Sequence, residues 1–235
     1  NDNLYGNEGE DWLYGGAGDD LIDAILKMMN QIKFQQKIPS ILQYARITTI
    51  YKGKGSKKDM DSDRGVFGVV IFRYILDKLI YNDEYPTIDS NMSDSNQGAR
   101  RKKNIRNNLF IVYGILNYVF SEKKPPIDIQ IYDIEKCFDK IWLKEALNDF
   151  YDSGLRNENL PLLYELNKES IVSIKTPVGK TNSFKLNNTV MQGNVWAPLQ
   201  CSNQMDRLAD EIFTREENKE NIYKYKNEVT IPTLG

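Results

Sequence analysis

The sequence predicts an α+β fold, with helices packed on one side of a largely antiparallel sheet. Three observations predict it. Apolar residues alternate over 44–51 and again at Ile127, Ile129 and Ile131, the period of a half-buried strand. Apolar residues keep helical spacing at Ile105, Leu109, Val112, Leu116 and Val119. Residues 171–190 read as a pair of strands folded around Gly179. Strands and helices interleaved in this way suit a sheet with helices on one face.

The first 23 residues are of another kind. Asp2, Asp11 and Asp20 are nine apart, as are Leu4, Leu13 and Ile22, in glycine-rich blocks Gly6–Tyr14 and Gly15–Asp23. Glycines permit tight turns, aspartates and turn carbonyls supply hard oxygen ligands, and the aliphatic residue points inward. These blocks resemble the calcium-binding nonapeptides of parallel β-rolls in secreted bacterial proteins. The resemblance implies calcium at Asp11 and Asp20, and a secreted origin for this segment. Such repeats bury their faces only against neighbours, and about three are needed for stability. The competing reading is a flexible segment. The periodicity stops at Asp23, so the chain divides into residues 1–23 and 24–235.

Along the second part, 25–36 predicts a helix ending before Pro39, and 44–51 a strand followed by the Lys-Gly-Lys-Gly turn at 52–55. Val66–Val70 predicts another strand and Ile71–Tyr81 a helix. Pro125-Pro126 ends the helix begun at Ile105. The alternation from Ile127 then predicts a strand whose face continues to Asp133, with a helix behind it through Ile141, Trp142, Glu145, Ala146 and Phe150. Pro198 suits a helix start carrying Leu199, Met205, Leu208 and Ile212. Tyr223–Ile231 is strand-like.

Composition narrows the chemistry. The chain contains no histidine, and its two cysteines, Cys137 and Cys201, are far apart in sequence, which excludes Ser–His and Cys–His catalysis and argues against structural zinc. No run approaches the roughly 18 apolar residues of a membrane span. The net charge of −2 is uneven: residues 1–23 hold seven acidic and no basic side chains, leaving 24–235 at +5. Basic residues cluster at Lys52, Lys54, Lys57 and Lys58, and at Arg100, Arg101, Lys102, Lys103 and Arg106. Such runs suit phosphate-backbone contact, although a solvated surface gives the same pattern.

Four segments stand in a fixed order: Ile47-Thr-Thr-Ile-Tyr-Lys-Gly-Lys-Gly-Ser-Lys-Lys-Asp59 with Ser62–Val70; Met92-Ser-Asp-Ser-Asn-Gln-Gly-Ala-Arg-Arg-Lys-Lys-Asn-Ile-Arg-Asn-Asn-Leu109; Asp128-Ile-Gln-Ile-Tyr-Asp133 with Ile134–Asp139; and Val190-Met-Gln-Gly-Asn-Val-Trp-Ala-Pro-Leu-Gln200. Together they resemble the reverse transcriptase domain of non-LTR retrotransposons, from about Ile25 onward. The resemblance implies fingers and palm of a right-hand polymerase, an antiparallel palm sheet backed by helices, and two magnesium ions. Its partners would be an RNA template, a DNA primer and deoxynucleotides in an intracellular setting, nuclear or cytoplasmic.

By that resemblance Asp133 is the catalytic metal-binding aspartate and the Ile134 carbonyl a second magnesium ligand. Phe138 stacks under the incoming sugar; its alternative is a core aromatic. Arg64 holds the triphosphate, where a planar bidentate donor suits phosphate. Lys52 is a further phosphate candidate, with a solvated lysine as its alternative. Gln192 and Gly193 position template and nascent pair. Gln97, Gly98 and Arg100 contact template, joined by the basic residues Arg101, Lys102 and Lys103. Ala99 stands where the family more often has an aromatic residue or glycine. The family's adjacent Asp-Asp pair is not reached before Gly235, and a lone carboxylate does not hold two ions about 3.5–4 Å apart. The expectation is therefore a polymerase part that is inactive by itself. The alternatives are a non-catalytic nucleic-acid-binding module and a calcium-binding β-roll protein.

Overall fold

The computed structural model describes residues 20–214, except 130, 177–178 and 188–189, together with 224–225 and 228–229. Asp11 and most of the nonapeptide blocks lie outside these residues.

The described chain contains seven α-helices and a five-stranded mixed sheet. Helix α1 (Asp20–Gln35) begins inside the second glycine-rich block, earlier than the periodicity suggests. A 3-10 turn, Ser40–Gln43, leads into β1 (Tyr44–Tyr51), and β2 (Asp63–Val69) returns antiparallel with Ala45 opposite Val69 and Tyr51 opposite Asp63. Helices α2 (Ile71–Ser90), α3 (Ile105–Ser121), α4 (Cys137–Lys140), α5 (Leu143–Asp152) and α6 (Asn159–Asn167) follow before β3 (Glu169–Thr176). Strand β3 lies parallel to β1, with Tyr44 opposite Ile171. Three of the four strand pairings described in this sheet are antiparallel, in keeping with the largely antiparallel sheet expected, and the β1–β3 pair makes the sheet mixed. Parallel neighbours need a long crossover, and five helices supply it here. Strands β4 (Gly179–Lys180) and β5 (Phe184–Asn187) both pair antiparallel with β3, and α7 (Ala197–Thr214) closes the main body. Among the described residues, β6 (Lys224–Tyr225) pairs antiparallel with β7 (Glu228–Val229), where the sequence suggests one extended strand.

Helix α2 runs two turns beyond Tyr81 despite Asn82, Asp83 and an internal Pro86. Burial explains this. Tyr85 and Ile88 enter the main core, which outweighs the weak helix propensity of the segment. That core joins α1, α2, α5, α6 and the start of α7 around Trp196. The indole is fully buried, with ring centroids 5.2 Å from Tyr81 and 5.5 Å from Phe150. A second cluster (Ala45, Val172 and Met191) covers one face of the sheet.

The strand expected at 127–133 is absent: residues 127–129 and 131–134 carry no ladder. Ile131 is 82% exposed and Tyr132 81%. Alternation specifies a strand only where a neighbouring edge satisfies its backbone groups, and among the described residues this segment pairs with no strand. Helix α3 is similarly uncovered. Only Asn108 and Val119 are buried, while Phe110 and Phe120 face outward.

Candidate nucleic-acid and nucleotide site

The site is assembled around β2. Its chain enters from the 52–59 turn, where Lys52 Nζ donates to the Asp61 carbonyl at 2.6 Å. Arg64, one residue into the strand, points outward and is exposed. On the same strand the Phe67 amide donates to the Gln192 carbonyl at 2.8 Å, fastening the 190–194 turn to β2 across 125 residues of sequence. Gly193 sits at φ +103°, and a Cβ there would lie 2.8 Å from the Phe67 carbonyl oxygen. Only glycine allows so close an approach in that conformation. The turn is anchored from below as well. Asn194 donates to Asn167 at 3.3 Å, and Asn167 accepts from the buried Arg73 at 2.6 Å.

Asp133 is exposed at the end of the unladdered segment. Three residues on, Lys136 adopts the left-handed conformation (φ 54°, ψ 44°), which costs a non-glycine residue about 1–2 kcal/mol. Its ammonium pairs with Asp61 at 3.2 Å, and its carbonyl accepts from the Asp139 and Lys140 amides, opening α4. The ion pair brings the turn after Asp133 beside the segment that carries Lys52 and Arg64. Phe138 is half-buried against Ile141, Ala146, Val190 and Ala197, so much of its ring serves as core.

The 92–103 loop is built differently from its basic composition. Arg100 is 8% exposed, and its guanidinium donates to Asp89 Oδ1 at 2.6 Å and to the Asp89 and Asn96 carbonyls at 2.8 and 2.9 Å. Its work is to hold the loop. Burial pushes the Asp89 carboxyl up, but hydrogen bonds from Arg100 and Tyr85 outweigh that and keep it below the ordinary range. Gln97 accepts from the Asn104 amide at 3.2 Å and from Asn107 at 3.1 Å, at the start of α3. Gly98 is buried and accepts from Ser202 Oγ at 2.6 Å. Arg101 lies over the Tyr85 ring, 4.5 Å from its centroid. Lys103 pairs with Asp94 at 2.8 Å. Lys102 alone of the six projects outward with no partner among the described residues. Ala99 takes φ 52°, the conformation in which glycine is relaxed, in keeping with its departure from the resembled pattern.

The loop is tied to α7 by residues that sequence reading missed. Asn96 donates to the Ser202 carbonyl at 2.9 Å, and the Ser93 amide donates to Asp206 at 2.8 Å. Burial raises the Asp206 carboxyl, partly offset by the Ser93 bond. Polar residues at buried helix positions were the available signal, but Ser202, Asn203 and Asp206 read equally well as an exposed face.

Magnesium does not fit the described side chains. No group of three or more carboxylate or thiol side chains converges among the described residues, at Asp133 or elsewhere. Calcium at Asp20 falls where α1 begins.

The profile of the RTX calcium-binding nonapeptide repeat (4 copies) matches residues 1–24. That match covers the two glycine-rich blocks and the first turn of α1, and no part of the sheet. No curated protein matches the chain. Among the described residues, no helix is long and apolar enough to cross a membrane.

Proposed function

We propose that residues 24–235 belong to an RNA-directed DNA polymerase and engage a template–primer with an incoming deoxynucleotide. The supporting observation is the joint between β2 and the 190–194 turn. Segments that the resemblance assigns to nucleotide and template meet through the Phe67–Gln192 hydrogen bond and the glycine-only contact at Gly193. Arg64 and Lys102, exposed on this body, are the phosphate donors, while Arg100 holds the loop. Two-metal phosphoryl transfer requires more carboxylates than the described residues gather near Asp133. This chain by itself is therefore expected to bind without polymerising.

The test is fluorescence anisotropy on an RNA–DNA template–primer across a salt series, with duplex DNA of equal length as competitor. Preferential binding is expected, with the logarithm of affinity falling linearly with that of salt. Arg64→Glu and Lys102→Glu should each weaken it and lower the slope by about 1. Equal affinity for both duplexes would reduce the chain to a general nucleic-acid-binding module. Primer extension with magnesium or manganese should give no product, and incorporation would show that the site is complete.

The repeat match favours a separate role for residues 1–24, calcium binding through turn carbonyls and aspartates such as Asp11 and Asp20. Extracellular modules of this chemistry bind calcium at about 10⁻⁴–10⁻³ M. Circular dichroism of the whole chain should gain β signal over that range, and a flat titration would remove the role.

A further inference from the structure

The geometry points to a redox modification site: Cys137 and Cys201 form a reversible disulfide on reaction with a low-molecular-weight disulfide. Their Sγ atoms lie 2.6 Å apart, although the residues are 64 positions apart in sequence. The two sulfurs are thus in direct contact, as an S–S bond of about 2.05 Å requires. Cys137 opens α4 and Cys201 lies in the second turn of α7. Both are half-buried and free, packed against Ile141, Ala146, Val190 and Ala197.

Alternative chemistry is limited by composition. The chain has two cysteines and no histidine, and no third carboxylate or thiol joins the pair among the described residues. Two thiols do not complete the four-ligand set that zinc prefers. A second cysteine is also present to resolve any mixed disulfide, which a lone thiol lacks.

Glutathione disulfide serves as the defined oxidant. The Cys137 thiolate attacks one of its sulfurs, forming a mixed disulfide and expelling a glutathione thiolate. The Cys201 thiolate then attacks Cys137 Sγ, forming the internal bond and expelling the second glutathione thiolate. The two thiol protons pass to the leaving thiolates. In sum, the protein dithiol loses two electrons, and glutathione disulfide gains them to become two glutathiones. Burial first, and then the neighbouring Cys137, push the Cys201 thiol up to about 12, and the exchange balances equally with the two cysteines in the opposite order. The bond would clamp α4 to α7, with Phe138 in the next position. This inference does not depend on the polymerase reading.

The test equilibrates the whole chain in glutathione buffers, quenches with acid, alkylates the remaining thiols and maps the peptides. The expected product is one Cys137–Cys201 peptide with the intact mass lowered by two hydrogens. Closing a loop of this length should raise Tm by roughly 5–10 °C, reversed by dithiothreitol. With Cys201→Ala, glutathione should remain on Cys137 and Tm should not rise. Glutathione on both cysteines, or two alkylated thiols under oxidising buffer, would overturn the inference. Wild-type mapping decides the matter even if the variant fails to fold.

Discussion

Replacing Arg73 with methionine is expected to destabilise the protein by about 3–5 kcal/mol at pH 7, and by clearly less at pH 5. Both Arg73 and Asp77 are entirely buried on α2, with Nε 3.4 Å from the carboxylate. The guanidinium also reaches the Leu42 carbonyl and Asn167, joining α2 to the 3-10 turn and to α6. Removing the cation strands the carboxylate in an apolar setting and takes the donor from the Leu42 carbonyl, while Asn167 keeps its hydrogen bond from Asn194. The pH dependence follows from Asp77. Desolvation outweighs the pull of Arg73 and pushes its carboxyl up to about 6, above the value of 3.8 in the unfolded chain. The folded state therefore binds the proton more tightly than the unfolded state. Asp77's contribution is complete below about pH 3.8 and is lost as pH rises through about 6, amounting to roughly 3 kcal/mol. In the variant at pH 5 the carboxyl takes up a proton and no longer needs a counter-ion. The remaining cost is that of the unmet Leu42 carbonyl, about 1–3 kcal/mol. Urea unfolding at both pH values measures the difference, and Asp77→Asn should flatten the wild-type slope between pH 4 and 6.5. Equal losses for Arg73→Met at the two pH values would contradict this assignment.

Arg73 also marks the limit of what the sequence revealed. In Ile71-Phe-Arg-Tyr-Ile-Leu-Asp77, an arginine and an aspartate four apart look like an exposed helical pair, and nothing local distinguishes a buried one. Elements with regular periodicity were legible: β1, β2 and α3 fall within a few residues of their expected places. Helix α6 was missed because Leu162, Leu163 and Leu166 crowd one face over only nine residues, with Pro161 among them. A proline is tolerated in the first turn of a helix, and that was the available signal. The 127–133 segment fails in the opposite direction. Its alternation is a strand's, but strand formation depends on a neighbouring edge, which is a property of the whole fold. The same distinction runs through the site. Gln192–Gly193 and Arg64 were legible as a motif, whereas the inward turn of Arg100 was not, because its acceptors on Asp89 and Asn96 come together only in three dimensions.

Gly193→Ala is the second substitution expected to cost most, about 2–4 kcal/mol. Two separate terms produce that figure. A side chain at φ +103° stores about 1–3 kcal/mol of backbone strain, and loss of the Phe67–Gln192 hydrogen bond adds about 0.5–1.5 kcal/mol. The bond is lost because the new methyl would sit 2.8 Å from the Phe67 carbonyl oxygen, which belongs to β2 and is not free to move aside. Gly53→Ala separates the terms. Gly53 has φ +78° but nothing within 4 Å of the added carbon, so only backbone strain applies, about 1–2 kcal/mol. Urea denaturation of the two variants gives the difference directly. Hydrogen exchange locates it: the Phe67 amide should exchange faster in Gly193→Ala and remain protected in Gly53→Ala. If the 190–194 turn serves template binding through its seat on β2, Gly193→Ala should also lose template–primer affinity at temperatures where it remains folded. Equal destabilisation of the two variants, with Phe67 still protected, would mean that the turn tolerates a side chain. The joint on which the proposed site depends would then not be the close contact described.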